Sequence, residues 1–345
     1  MKKYQRLAQQ IISQIELGVW LPGDKLPSLR EQVASSGMSF MTVGHAYQML
    51  ESQGRIVARP QSGYYVASRP TAQQPAPPAQ VMRDEAVDIN TYIFEVLQAS
   101  RDPSVVPFAS AFPDPRLFPL QQLNRSLANV SKTATAMSVI ENLPPGNVDL
   151  RHAIARRYAQ QGMNISPEEI VITAGALEAL NLSLQAVTEP GDWVIVENPC
   201  FYGALQALER LKLKALAIAT DVREGIDLNA LEQALNDYPV KACWIMTNSQ
   251  NPLGFTLSAE KKAQLVALLT RHNVPLIEDD VYSELYFGRE KPLPAKAWDR
   301  QDMTLHCSSF SKCLVAGFRI GWVAAGKHAR RIQQLQLMST LSTSS

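Results

Sequence analysis

The stretch SSFSKCLVAGFRIGW at residues 308–322 places one lysine, Lys312, between two apolar runs. The runs, TLHC at 304–307 and IGWVA at 320–324, predict short buried strands. Burial disfavours the ammonium form, so a lysine held between such strands gives up its proton more readily than one in water. A neutral amine can attack an aldehyde and form a Schiff base, and this is the chemistry that the stretch first suggests.

The groups around this lysine suit an anion. Ser309 and Ser311 offer hydroxyl donors, and Arg319 offers a guanidinium that can hold a phosphate through two parallel hydrogen bonds. An aldehyde at one end and a phosphate at the other describe pyridoxal 5'-phosphate (PLP), so the stretch predicts a site for that cofactor. A surface turn with serine and lysine would have a similar composition, and the rest of the chain has to decide between the two.

The order of these residues, Ser-x-x-Lys and then Gly-x-Arg-x-Gly-Trp, resembles the cofactor-lysine signature of the fold-type I, aspartate aminotransferase-like enzymes. That resemblance implies that PLP is bound as an internal aldimine on Lys312, which would be the catalytic residue. It also implies that the remaining motifs of the family lie upstream in a fixed order.

Seven short, β-rich runs recur between helical stretches from residue 90 onward. Runs that are apolar almost throughout suit strands covered on both faces, and their alternation with helices predicts a three-layer α/β/α domain with a seven-stranded, mostly parallel sheet. Ligands of such sheets bind outside the carboxyl ends of the strands. The runs are IVIT (170–173), WVIV (193–196), ALAIA (215–219), ACWIM (242–246), PLIE (275–278), TLHC (304–307) and IGWVA (320–324).

The turns after the first two runs carry further candidate residues. After IVIT, Gly175 permits a tight turn into a helix, so the backbone N–H groups of Gly175, Ala176 and Leu177 would face an anion with the help of the helix dipole. An ordinary strand-to-helix turn has the same pattern. After WVIV, Phe201 matches the aromatic residue that stacks on the cofactor ring in aminotransferase-like proteins, although a core role is the commoner one for such a residue.

Three residues match the family at the ends of later strands. Asn251, in an Asn-Pro-x-Gly sequence, matches the asparagine that donates to the cofactor's phenolic oxygen, and Tyr282 matches the tyrosine that donates to the same atom. Asp279 matches the carboxylate that keeps the pyridine nitrogen protonated, which makes the ring a better electron sink. A solvated acidic turn is the alternative for Asp279. The motifs follow the family's order along the chain, and this favours the PLP site.

Two departures from the aminotransferase pattern bear on activity. Family members carry a tyrosine five residues before the glycine of a Gly-x-x-x-Leu-Arg motif, and here Glu141 occupies its place before Gly146–Arg151. The family's small domain, with an arginine that grips the substrate carboxylate, normally continues beyond the point where this chain stops. The chain ends at Ser345 in a stretch expected to be helical. Either the sequence is a fragment of a longer protein or its C-terminal small domain is incomplete, so we assign no residue to the substrate carboxylate.

Residues 1–68 predict a small helical domain that ends in a hairpin. Apolar residues recur at helical spacing in residues 4–17, Ser28 and Ser39 can cap two further helices, and RIVAR and GYYVA alternate around a Pro-Gln-Ser-Gly turn. Three helices followed by a two-stranded hairpin form a winged helix-turn-helix, whose third helix would enter the major groove of DNA.

This region resembles the GntR family of bacterial transcription regulators. The resemblance is carried by PGDKLPSxR, by a Ser-x-x-Thr-Val helix start and by a glycine in the wing. It implies that Arg30 is the DNA-contacting arginine, that Ser39 and Thr42 contact phosphates, and that Gly63 is the wing glycine.

The same region departs from the GntR pattern at Phe40 and Gly44, where basic residues are common. We therefore expect fewer phosphate and base contacts than usual. Its charge nonetheless suits DNA, because residues 1–70 hold eight Lys and Arg against four Asp and Glu, a net of +4, whereas the whole chain carries +1. A small helical module with an incidental basic balance is the alternative.

Composition and length bound the remaining organisation. A chain of 345 residues, 46% of them hydrophobic, predicts two or three domains with a sizeable core. Residues 69–88, rich in Pro, Ala and Gln, predict a semi-rigid linker, and residues 89–345 the aminotransferase-like domain. Four scattered cysteines without a CxxC pair predict reduced thiols in a cytoplasmic protein without a metal site. We expect neither a signal peptide nor a membrane span.

A GntR-like head joined to an aminotransferase-like body is the arrangement of the MocR subfamily of bacterial regulators. The resemblance implies a homodimer that binds double-stranded DNA and senses PLP or an amino compound through an aldimine on Lys312. A working PLP-dependent aminotransferase with an accessory DNA-binding head is the second hypothesis. Phe40 and Gly44 favour the aminotransferase, whereas Glu141 and the missing carboxylate arginine favour the regulator, which we prefer.

Overall fold

The computed structural model describes residues 2–67, 89–102, 104–106, 111–133, 135 and 142–343, with the side chain of Ile89 left out. The chain divides into two compact units, Met1–Ala76 and Pro77–Ser345. The predicted linker at 69–88 and Glu141 lie outside the described residues, so the domain boundaries at 68 and 88 stay predictions.

The N-terminal unit consists of three helices and a hairpin, as predicted. Its elements are α1 (Lys3–Glu16), α2 (Leu29–Ser36), α3 (Phe40–Ser52), β1 (Ile56–Arg59) and β2 (Gly63–Val66), and the two strands pair antiparallel. Ser28 caps α2 in a capping box with Glu31, and Ser39 Oγ accepts a hydrogen bond from the Thr42 N–H at the start of α3. Both predicted caps are therefore confirmed.

One face of α3 forms the centre of the N-terminal core. Val43, Tyr47 and Leu50 are fully buried on that face and belong to the same apolar cluster as Leu7 and Ile11 of α1. Because these α3 positions recur at helical spacing, the opposite face of the helix is left at the surface.

The larger unit is built on one sheet of eight strands. They are β3 (Ile170–Thr173), β4 (Trp193–Asn198), β5 (Lys214–Asp221), β6 (Gly225–Ile226), β7 (Val240–Ile245), β8 (Leu276–Asp279), β9 (Thr304–Ser309) and β10 (Gly321–Ala324). Their order across the sheet is β3-β10-β9-β8-β7-β4-β5-β6. All seven predicted strands are present. The eighth, β6, pairs antiparallel with β5 at the edge, and its two residues are too few to give an apolar pattern.

The central strands from β9 to β5 pair parallel, whereas β10 is antiparallel to both β3 and β9. Parallel strands end at the same edge of a sheet, so the turns that follow β4, β7, β8 and β9 meet there. This edge is where the predicted site residues should lie.

Helices cover the sheet in the predicted three-layer arrangement. The helices of the larger unit within the described ranges are α4 (Ile89–Ala99), α5 (Leu120–Thr133), α6 (Val148–Gln160), α7 (Ala176–Val187), α8 (Tyr202–Arg210), α9 (Leu228–Asp237), α10 (Ala259–Arg271) and α11 (Ala329–Leu337), of which α5 buries none of its side chains. Side chains of α7, α8 and α11 share one apolar cluster with the sheet, and those of α9 and α10 share another.

The helix expected in the tail is not present over residues 338–343, the described part that follows α11. Helix α11 ends at Leu337, and turns follow it through the described part of the tail. Leu341 has a left-handed backbone (φ 63) and donates its N–H to Gln336 O, a geometry that closes a helix.

Three general features complete the description. No helix within the described ranges is long and apolar enough to cross a membrane. The same residues contain no group of three or more His, Cys, Asp or Glu that could hold a metal ion. All four cysteines are free thiols.

Candidate functional site

A cavity of about 570 Å³ lies where the central strands end. It brings together the site residues predicted for the body, which come from five separate turns of the chain. Among the residues that line it are Ala176, Leu177, Phe201, Asn251, Asp279, Tyr282, Ser309, Ser311, Lys312 and Arg319. Gly175 stands directly before this group, at the start of α7.

Lys312 is partly buried at the cavity wall. Its Nζ donates to Ala111 O at 3.2 Å and lies 3.5 Å from the centre of the Phe112 ring. Burial lowers the pKa of the Lys312 ammonium, the Asp279 carboxylate opposes that shift, and Arg319 adds to it. The amine is therefore closer to its nucleophilic neutral form than an exposed lysine would be.

Asp279 ends β8 and is only 2% exposed, so the alternative of a solvated acidic turn is wrong. Burial, reinforced by the adjacent Asp280, raises the pKa of Asp279 to about 7. Its Oδ1 atom is buried and has no hydrogen-bond partner within the described part of the chain. An unpaired buried oxygen is costly, and a cationic N–H placed in the cavity would satisfy it.

Tyr282 and Asn251 lie together on the cavity wall and form a polar pair. Burial and the Asp279 carboxylate raise the pKa of Tyr282 to about 12, while a hydrogen bond with the Asn251 side chain acts in the opposite direction. The phenol therefore keeps its proton at neutral pH and can donate it to an acceptor in the cavity. The Tyr282 ring centre lies 5.7 Å from Lys312 Nζ.

Arg319 and Gly175 approach each other closely. The Arg319 guanidinium donates to Ala174 O at 3.1 Å, and a Cβ atom added at Gly175 would lie 2.4 Å from the guanidinium nitrogen Nη2. Gly175 also has φ 92 and ψ 168, a conformation that essentially only glycine adopts. The glycine is thus required by the position of the arginine.

The N–H of Gly175 already donates to Thr173 O at 2.8 Å, so the anion contact expected from this residue stays a prediction. The N–H groups of Ala176 and Leu177 donate to no group in the described ranges, and no side chain caps α7. Ser311 Oγ is likewise buried without a partner among these residues. These donors remain for an anion at the start of the helix.

Phe201 lines the cavity where the chain enters α8. Its ring lies against Gly203, at which a Cβ atom would be 2.3 Å from the aromatic edge. Its ring centre is 4.7 Å from that of Tyr202, which also lines the cavity and was not predicted. Ala111 and Phe112 were missed as well, since their stretch has no pattern that points to the site.

A buried polar chain behind Asp279 was also missed. Lys262 Nζ donates to Asn248 Oδ1 at 2.6 Å, and Asn248 Nδ2 donates to Asp280 Oδ1 at 2.9 Å. His306 Nε2 lies 3.0 Å from the other oxygen of Asp280. All four side chains are buried. Asn248 and His306 therefore fix the Asp280 carboxylate, directly after β8, through one oxygen each. The one sequence signal was two adjacent acids directly after an apolar strand.

The N-terminal unit places the predicted DNA-contacting residues at the starts of its elements. Arg30 is exposed in the first turn of α2, and its guanidinium pairs with no group among the described residues. Ser39 and Thr42 lie at the start of α3 with their hydroxyl oxygens 2.9 Å apart. Gly63 begins β2 with φ 109. Their contacts with DNA stay predictions.

Comparison with known families accounts for both units. Residues 119–345 match the aminotransferase class I and II family, and residues 3–66 match the gntR family of bacterial regulatory proteins. The two matches divide the chain as the two compact units do.

Two similar proteins are named as HTH-type transcriptional regulators. The chain is 83% identical over 345 residues to the HTH-type transcriptional regulator YdcR of Escherichia coli (strain K12), covering 100% of this chain and 74% of YdcR. It is 37% identical over 338 residues to YjiR of the same organism, covering 97% and 72%. Among solved structures, kynurenine aminotransferase of Pyrococcus horikoshii in complex with PMP has a TM-score of 0.67 at 27% identity, covering 73% of this chain and 64% of that one.

A gntR-type head and a fold-type I aminotransferase body therefore define the class of protein. The chain belongs to the MocR type of helix-turn-helix regulators within the gntR family.

Proposed function

We propose that this protein is a transcription regulator that binds DNA through its N-terminal unit and binds PLP at Lys312 in its body, where it senses PLP or an amino compound. One observation carries the proposal. The residues that suit PLP meet in a single cavity, on the same chain as a winged helix of a DNA-binding family. The gntR match supports DNA as one partner, and the aminotransferase match supports an amine as the other.

The polar groups of the cavity fit PLP by their chemistry. The unpaired buried oxygen of Asp279 suits a protonated ring nitrogen, and the amine of Lys312, whose pKa is lowered by burial, suits an aldehyde. Arg319 and the N–H groups of Ala176 and Leu177 suit a phosphate. When bound, PLP would supply an electron sink for bonds at the carbon that carries the amine.

The other residues would orient the cofactor and control protons around it. Tyr282, whose phenol stays protonated, and Asn251 would donate to the phenolic oxygen. Phe201 would cover one face of the ring. Asp279 would change from a group that resists ionisation to one that is paired with a cation, because the cationic N–H offsets the desolvation cost of its carboxylate.

The remaining features of the proposal concern assembly and location. A homodimer would present two heads to two half-sites of an operator, since recognition helices of such regulators bind sites about one turn of DNA apart. Because its target would be chromosomal DNA, we place the protein in the bacterial cytoplasm.

An active aminotransferase is the second candidate. It is favoured by the likeness to a solved aminotransferase in complex with PMP, the aminated form of PLP, and by a cavity whose polar groups suit the cofactor. In that case transfer of an amino group would be the main activity, and the N-terminal unit would be accessory.

One preparation can separate the two candidates. A footprint on the DNA upstream of the protein's own gene, with and without PLP and a panel of amino acids, is run beside a transamination assay. We expect protection of DNA that changes with PLP or an amino compound, and slow or no amino transfer. Rapid transfer without specific protection of any genomic fragment would establish the aminotransferase instead.

A further inference from the structure

The surface of α3 that faces away from the core carries two large apolar side chains. Phe40 and Met41 form its first turn, and they are 55% and 70% exposed. Gly44 follows, four positions after Phe40 and three after Met41, so it is the neighbour of both on the helix surface. We refer to Phe40, Met41 and Gly44 as the α3 notch, because two bulky side chains border a position without one.

No contact within the described part of the N-terminal unit requires a glycine at position 44. A Cβ atom there would meet no atom within 4 Å, and the residue has an ordinary helical backbone. Glycine destabilises a helix interior relative to alanine. A glycine that the unit itself does not need suits a partner that approaches the helix backbone closely.

We propose that the α3 notch reads the 5-methyl group of thymine in the major groove. This inference rests on the proposed DNA-binding function. The N-terminal residues of a recognition helix contact base edges. Thymine alone among the four bases presents a methyl group in that groove, and apolar side chains are its usual contacts. The net charge of +4 on residues 1–70 suits a polyanion as the partner.

In this arrangement Phe40 and Met41 border the methyl group on the N-terminal side, and the open position at Gly44 admits it to the helix surface. Basic residues at positions 40 and 44 would instead reach guanine or phosphate. The operator of this protein should therefore contain thymine where the start of α3 meets each half-site.

The test compares thymine with uracil, which differ only by this methyl group. A duplex selected by the protein from a random library is synthesised in both forms, and binding is measured by fluorescence anisotropy. We expect uracil to weaken binding by the wild type about fourfold per contacted methyl. The double variant Phe40→Ala/Met41→Ala should bind both forms equally.

Leu17→Ala is the matched control. Leu17 is an apolar side chain that is 81% exposed, and it follows α1 beside Glu16, which pairs with Arg55 directly before β1. This variant should keep the full preference for thymine. Thermal unfolding of each variant shows whether the unit is folded.

Gly44→Ala adds a test in which stability and binding change in opposite directions. It should raise the midpoint of thermal unfolding of the N-terminal unit, because alanine is the better helix former. It should also weaken binding to the thymine duplex and reduce the preference for thymine over uracil, because the added methyl fills the notch. Equal or tighter binding by Gly44→Ala would overturn the proposal.

Three further outcomes would overturn it. Equal affinity of the wild type for the thymine and uracil duplexes would refute the proposed reading of thymine by the α3 notch, but not the proposed DNA binding. A thymine preference that survives in Phe40→Ala/Met41→Ala would refute it in the same way. If no duplex is selected from the library, both the notch and the proposed DNA-binding function are wrong.

Discussion

The cavity of the body and the exposed surface of the head hold their candidate residues in opposite environments. In the cavity, Asp279 and Ser311 bury polar atoms that have no partner among the described residues, and five turns of the chain contribute to the wall. In the head, Arg30, Phe40 and Met41 are exposed at the starts of two short helices. Because the cavity is built from a whole edge of the sheet, substitutions there should affect both ligand binding and the stability of the fold. Substitutions of exposed side chains usually have little effect on stability.

Among the variants that test this difference between cavity and head, Gly175→Ala should have the largest effect on stability and PLP affinity. Its methyl would displace the Arg319 guanidinium, and its backbone conformation costs a non-glycine residue about 1–3 kcal/mol. We expect a fall in both the free energy of unfolding and PLP affinity, measured by thermal unfolding and by absorbance titration.

Gly191→Ala separates the two effects of that change. Gly191 also has a positive φ of 95, but a Cβ there meets nothing within 4 Å. This variant should lose stability and keep its PLP affinity. If both glycine variants lost the same affinity, the close approach of Arg319 to Gly175 would not be the cause.

Arg319→Ala tests the phosphate contact directly. A hydrogen bond to a charged group is worth about 1.5–3 kcal/mol, so PLP affinity should fall about ten- to hundredfold. Arg271→Ala is the control, because Arg271 forms an exposed ion pair with Glu232 on α9. Unchanged PLP affinity in Arg319→Ala would show that the phosphate lies elsewhere.

The free energy of unfolding of the PLP-free protein should also depend on pH, because the cavity buries Asp279. The pKa of Asp279 is about 7 in the folded state against an ordinary value of 3.8. Between these values the folded chain keeps a proton that the unfolded chain releases, so the free energy of unfolding falls as pH rises from about 4 to 7. Burial raises the pKa of Glu197 to about 8, so this group also makes the free energy of unfolding fall as pH rises.

Asp279→Asn should remove the contribution of one titrating carboxyl group to this change of the free energy of unfolding with pH. The slope contributed by one such group is about 1.4 kcal/mol per pH unit, and denaturant unfolding at several pH values measures it. Glu197 remains in this variant, so part of the fall persists. A slope equal to that of the wild type would mean that Asp279 ionises normally.

The smallest expected effect is that of Arg30→Ala. It should weaken specific DNA binding several-fold, make binding less sensitive to salt, and leave PLP absorbance unchanged. Arg55→Ala, which removes a guanidinium already paired with Glu16, should change DNA binding less. A mobility-shift titration at two salt concentrations measures both. Equal binding by wild type and Arg30→Ala would refute the placement of Arg30 at the DNA.

Sequence patterns predicted the fold well where they are repetitive. The seven apolar strands and the caps at Ser28 and Ser39 are each signalled by neighbouring residues. The convergence of Lys312, Asp279 and Arg319 also followed, because strands of one sheet end at a common edge.

Features that depend on contacts distant in sequence could not be predicted in this way. Lys262 lies on a helix, and only the fold shows that it is buried against Asn248. Asp280 looks solvated until His306 is placed beside it on the next strand. The role of Gly175 changed for the same reason, since only the structure sets a guanidinium against its Cα.

The attachment site of PLP tests the central proposal most directly. Protein loaded with PLP is reduced with borohydride, which fixes the cofactor covalently to the lysine that holds it, and the peptides are mapped by mass spectrometry. We expect yellow protein and one modified residue, Lys312, with no modification in Lys312→Ala. Modification of another lysine, or of none, would contradict the proposed function of the cavity.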